Sequence, residues 1–211
     1  MAGIDALLAP AAQEAIAGAV TAAEAATAGE IVVAVVPASD LYPRAELLAA
    51  LTSGIPLALA VTLATGPDTV WRFLPIAALS ILLCLTAVRR WPVLKRPFIS
   101  AAVCREEVRQ RAIQAFYDHR LYQTREATGV LLFLSLLEHR VELLADTGID
   151  GRVPGGTWDG LVERLTVALR AGDYVAGVVR AIDELGRILA THAPPRPDDT
   201  DELDNRPRVG E

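Results

Sequence analysis

Two apolar runs, Leu47 to Thr65 and Phe73 to Val88, constrain this chain more than any other feature, because neither contains a charged residue. At a rise of about 1.5 Å per residue, each approaches the roughly 30 Å thickness of a hydrocarbon layer. A soluble core helix seldom stays apolar on every side for so long. Gly66-Pro67-Asp68-Thr69 separates the runs and reads as a tight turn, because Gly, Pro and Asp each favour a reversal of the backbone. The expectation is a two-helix transmembrane hairpin spanning residues 43–96. A buried soluble helical hairpin is the alternative.

The charges around the runs orient that hairpin. Arg89, Arg90, Lys95 and Arg96 come directly after the second run and Arg44 precedes the first, whereas the turn side offers only Asp68 and Arg72. Cationic flanks stay on the cytoplasmic side, so both termini and the soluble part are expected there, in a multi-pass protein of the cell inner membrane. Trp71 and Trp91 bracket the second run as interfacial aromatics do. The net charge is −6 and the positive residues gather beside the hairpin, which excludes a broad basic surface for nucleic acid. The basic cluster reads instead as contact with the anionic lipid of a bilayer. Asp5, Gln13, Glu14 and Glu24 interrupt the N-terminal segment, so no cleaved secretory signal is read there. Cys84 and Cys104 are then expected to remain thiols in a reducing compartment.

Outside the hairpin the patterns alternate between helix and strand. Ala9 to Ala28 is Ala-rich and reads as a helix ended by Gly29. Ile31 to Val36 is a β-branched run stopped by Pro37, as in a strand covered on both faces. Pro92 and Pro97 separate the second span from the helix beyond it. Val108, Ala112, Ala115 and Phe116 recur at helical spacing between Arg105 and Leu121. Val130 to Leu136 and Arg140 to Ala145 form a β-hairpin around Glu138 and His139. Two amphipathic helices close the pattern: one carries Trp158, Leu161, Val162, Leu165 and Leu169 with Thr157 as N-cap, the other Val175 through Leu189.

This order predicts a small mixed-sheet α/β sandwich, with its first two strands parallel through a right-handed crossover that contains the hairpin. Residues 1–42 supply the first helix and strand, 97–193 the remainder, and 194–211 an acidic tail with little to bury, expected to be disordered.

Within this frame, GVLLFLSLLEHRVELLADTGI from Gly129 to Ile149 resembles the central motif of the TPM-domain family. Thr27 to Glu30, Arg111 to Phe116 and Arg170 to Tyr174 fit the flanking pieces. The chain looks most like the bacterial branch of predicted membrane proteins with the same hairpin placement. The resemblance implies the TPM-like fold. For some members it also implies an acid-phosphatase-like hydrolase activity or a bound divalent cation.

The topology expected from the residues puts Glu30, Asp146 and Asp150 at one sheet edge, with Asp173 less directly placed. They read either as hard oxygen ligands for Ca or Mg or as turn and cap residues. The His residues lack HExxH spacing, and Cys104 and His119 lie about 22 Å apart along a helix, too far for a dyad. Glu138, His139 and Arg140 read as a polar turn at lipid headgroups. Two functions are expected from these readings: an integral membrane protein whose cytoplasmic TPM-like domain acts as an interaction or assembly module with other membrane proteins, or a divalent-metal-dependent phosphatase.

Overall fold

The computed structural model describes residues 2–65, 70–195 and 203–210; the turn expected at Gly66 to Thr69 lies outside them. The chain divides into two compact units. One comprises Met1–Ser39 with Arg105–Glu211, and the other is Asp40–Cys104.

The first unit is built on a mixed sheet in the order β3-β2-β1-β4. β1 is Glu30–Val36, β2 Gly129–Ser135, β3 Arg140–Ala145 and β4 Arg208–Val209. β1 and β2 are parallel, from Glu30 opposite Gly129 to Val36 opposite Ser135. β3 returns antiparallel to β2. Every residue of β1 and β2 is buried, which explains why both read as unbroken apolar runs instead of alternating ones.

Helices cover both sheet faces. Ile31, Val33 and Val35 pack with Val130, Leu132 and Leu134 in the layer shared by α2 (Pro10–Glu24), α7 (Thr157–Arg170) and α8 (Tyr174–His192). The opposite face carries Val32, Ala34, Leu131 and Phe133 against Val108, Ala112, Ala115 and Phe116 of α5 (Ala101–Asp118). These four helix residues are the ones that the helical periodicity singles out.

Several boundaries differ from the sequence expectation for identifiable reasons. The expected helix over Ala9 to Ala28 is the single helix α2, and a separate helix, α1 (Ala2–Leu8), precedes it; Pro10 has no N–H to continue one and suits the start of the next. Its C-cap is Ala25, not Gly29. Thr157 is the first residue of α7 and not its N-cap; that role falls to Gly156 at φ 84°, while the Thr157 hydroxyl donates to the Pro154 carbonyl at 2.7 Å. Asp146 caps α6 (Thr147–Asp150) by accepting from the Thr147 N–H at 2.7 Å. Gly148 is required there, because a Cβ would collide with the Glu126 carbonyl oxygen.

The largest difference is at the C-terminus. Arg208 and Val209 add a fourth strand parallel to β1, in a stretch expected to be without order. The Gly210 N–H donates to the Val35 carbonyl at 2.9 Å, and Leu203 packs on the α5 layer. The segment satisfies backbone groups on an open sheet edge, a gain that a composition count does not register.

The second unit contains α3 (Pro43–Ala64), α4 (Val70–Arg90) and a 3₁₀ segment, Pro92–Phe98. Both helices are long and apolar enough to cross a membrane, with mean hydropathies of 2.0 and 1.9 over their best windows. Only 22% and 11% of those windows are buried. Ala50, Gly54 and Ala58 form a buried small-residue stripe on α3, where a Cβ on Gly54 would lie 2.8 Å from Ile81 Cα. Such stripes let helix backbones approach closely. Pro56 and Pro75 lie within the helices.

Candidate functional site

Strand alternation decides the fate of the acidic residues at the start of β1. Glu30 shares a sheet face with Val32 and Ala34 and is buried. The Glu30 and Asp146 backbones meet the same end of β2, through N–H bonds to Thr128 O at 3.2 Å and Gly129 O at 2.9 Å. Asp150, however, comes after Ile149, which packs in the layer on the opposite face, and is itself exposed. Asp173 lies between α7 and α8 in an ion pair with Arg180. Among the described residues, no group of three or more His, Cys, Asp or Glu side chains is arranged to hold a metal ion. Asp146 is engaged as a cap.

The opposite end of the strands holds a polar cluster that sequence reasoning missed. Glu138 is buried instead of facing outward. Its Oε1 accepts from the Ser39 N–H at 3.0 Å, and its Oε2 accepts from the hydroxyl of fully buried Ser135. The Ser39 hydroxyl donates to Ser135 Oγ at 2.8 Å. Buried carboxylates need such donors. The carboxylate thereby ties the end of β1 to the β2–β3 turn, whose His139 adopts φ 48°. Ser135 breaking an otherwise apolar strand was the available signal.

His119 and Glu142 of this unit depart from their ordinary behaviour. Burial, then the Arg208 charge and to a lesser degree Arg111, lower the pKa of His119, with Asp118 opposing. Burial raises that of Glu142 against the pull of Arg109 and Arg140.

A cleft of about 540 Å³ opens between α1 and the start of α8, lined by Ala6, Gly172, Tyr174, Val175, Ala176 and Val179 with Asp173. Its wall is mainly carbon. The Tyr174 ring rests where a side chain on Gly3 would be.

In the second unit, polar side chains gather at the base of the hairpin. Lys95, expected to face lipid, is buried. Its Nζ donates to the Leu41 carbonyl at 2.5 Å and to Glu46 Oε1 at 3.2 Å, and stands 5.8 Å from the Tyr42 ring centroid. Arg89 Nε meets Glu46 Oε2 at 3.4 Å. A lone carboxylate at the head of an apolar helix calls for a cationic partner, and Glu46 was the signal that Lys95 turns inward. Cys84 and Cys104 are not joined in a disulfide.

Residues 101–188 match the family model described as TPM domain. The structure is similar to the NMR structure of BA42 protein from the psychrophilic bacterium Bizionia argentinensis, with a TM-score of 0.61 and 20% identity over 100% of both chains. That likeness establishes the fold. No curated protein sequence matches the chain.

Proposed function

Starting from a chain that carries a TPM domain, we propose an integral membrane protein whose TPM-like domain lies in the cytoplasm and acts as an interaction or assembly module. The observation that carries the membrane reading is the exposure of α3 and α4: their best windows are only 22% and 11% buried. Leu74, Leu79, Leu82 and Leu83 are all more than half exposed on one 21-residue helix. In water such a surface drives association. In hydrocarbon it needs no partner. Basic flanks at Arg44, Arg89 and Arg90 support an orientation with both termini inside.

The carbon-lined cleft between α1 and α8 supports the interaction role, because concave apolar surfaces with few polar groups suit a ligand or partner side chain. Photo-crosslinker placed at Ala176 in native membranes is expected to capture protein partners. The membrane reading is tested by carbonate extraction and by membrane-impermeant labelling of Asp68→Cys and Gln110→Cys in intact cells, in a Cys84→Ser, Cys104→Ser background. The chain should stay in the pellet, with Asp68→Cys labelled and Gln110→Cys protected. Release by carbonate would overturn membrane integration, and reversed labelling the orientation.

A further inference from the structure

We propose that the base of the hairpin is a binding surface for anionic phospholipid headgroups, carried by Arg44, Arg90 and Arg96 and anchored by Trp91, Val93 and Leu94. The inference rests on the membrane reading above and deepens it. Residues 40–46 and 89–98 hold five cations, Arg44, Arg89, Arg90, Lys95 and Arg96, against two carboxylates, Asp40 and Glu46. The structure separates those cations by role. Glu46 accepts from both Lys95 and Arg89, and Lys95 is enclosed by the Leu41 carbonyl and the Tyr42 ring. Lys95 is therefore a clamp and is withdrawn from solvent.

The clamp fixes what the neighbouring segment presents. Lys95 sits within the 3₁₀ segment Pro92–Phe98, so pinning it to the head of α3 holds that segment at the hairpin base. Trp91, Val93 and Leu94 then remain 57%, 61% and 45% exposed, beside exposed Arg90 and half-buried Arg96. Among the described residues, Arg44, Arg90 and Arg96 form no ion pair. Aromatic and aliphatic side chains next to unpaired guanidinium groups match the layered chemistry of a membrane interface, apolar below and anionic above. Guanidinium groups also bind phosphate oxygens in a bidentate manner. The charge complement selects acidic over zwitterionic headgroups.

The test uses the full chain with Trp71→Phe and Trp158→Phe, leaving Trp91 as the only fluorophore of its type. It is reconstituted into phosphatidylcholine vesicles containing either brominated phosphatidylglycerol or brominated phosphatidylcholine at equal mole fraction. Bromine quenches the indole on contact, so relative quenching reads the lipid beside Trp91. The expected preference for the anionic lipid is at least about fivefold, the contribution of one arginine near a charged surface. It should fall to near unity in Arg44→Gln/Arg90→Gln/Arg96→Gln.

On the unaltered arginines it should also shrink at about 1 M salt, where the screening length is near 3 Å. That arm requires no further substitution and so covers a variant that fails to insert. Equal quenching by the two lipids in the vesicle-bound chain overturns the headgroup assignment alone. Quenching by neither, with the chain recovered in the aqueous fraction, overturns the membrane reading as well. Loss of the preference on adding inorganic phosphate would assign the arginines to free phosphate, not lipid.

Discussion

Helices α8 and α4 are similar in length, yet they distribute their apolar residues in opposite ways. On α8, Val178, Ile182, Leu185 and Leu189 are fully buried on one stripe, while Arg180, Glu184 and Arg187 lie off it. The stripe fits the sheet and the remainder fits water. On α4, Leu79, Leu82 and Leu83 are 67%, 57% and 61% exposed, with the small, close contact to α3 at Gly54 providing the packing. The difference is that the sheet unit encloses its large apolar side chains, whereas the hairpin leaves many of them exposed. In the sheet unit, burial is supplied by the chain itself. In the hairpin, only 22% and 11% of the most apolar windows are buried.

Substitutions at large apolar positions in the two units should break or uphold this contrast. Phe133→Ala empties a fully buried site in the middle of β2 and should cost about 3–5 kcal/mol. Leu82→Ala removes an exposed side chain and should change unfolding in detergent by about 0.5 kcal/mol or less. Chemical denaturation followed by circular dichroism measures both. Similar losses at the two sites would mean that α4 is buried in a way the exposed leucines deny.

Within the hairpin, the predicted sensitivity is at the small-residue stripe. Gly54→Leu forces a side chain against the Ile81 backbone, 2.8 Å from the position of a Cβ. Overpacking of this kind costs about 1–3 kcal/mol. The expected result is loss of α3–α4 proximity, read by disulfide trapping of cysteine pairs placed across the stripe, with the sheet unit's unfolding midpoint unchanged. A shifted midpoint would show that the two units unfold together.

Much of the sheet unit was legible because its signals are local and strong. Ile31 to Val36 and Val130 to Leu136 read as strands from their β-branched and apolar continuity, and the observed strands agree within a residue at each end. The α5 stripe was legible from spacing alone. What could not be read depends on contacts distant in sequence. Arg208 and Val209 become a strand only because β1 offers an edge. The burial of Glu138 draws on Ser39, a donor 99 residues away, as well as on nearby Ser135. Among the acidic residues, sequence order placed Glu30 and Asp146 at one end of the sheet, but it could not show that Ile149 packs in the layer of the other face with Asp150 exposed beside it.

Asp146 offers a smaller test, one that bears on both readings of those carboxylates. As the N-cap of α6, its replacement in Asp146→Ala should cost about 1 kcal/mol. The loss should be the same with a chelator and with added calcium or magnesium. A cation-dependent stabilisation of the unaltered chain, abolished by Asp146→Ala, would support ligation at this edge instead.

The smallest expected effect is a pH dependence confined to the sheet unit. The folded chain lowers the pKa of His119 below its ordinary 6.5, chiefly through burial and then through Arg208. As pH falls below 6.5, the unfolded chain binds a proton that the folded chain resists. The His119 contribution is therefore complete above that value and is lost as pH falls toward the folded one. Glu142 has the opposite sign. Its pKa is raised from 4.5 by burial, so its contribution is complete below 4.5 and is lost as pH rises through the folded value. Both groups are about half buried, and solvent screening keeps the two slopes small. Unfolding midpoints measured across this range should lose the His119 slope in His119→Gln and the Glu142 slope in Glu142→Gln. An unchanged profile in His119→Gln would show that burial and the Arg208 charge do not act on the imidazole.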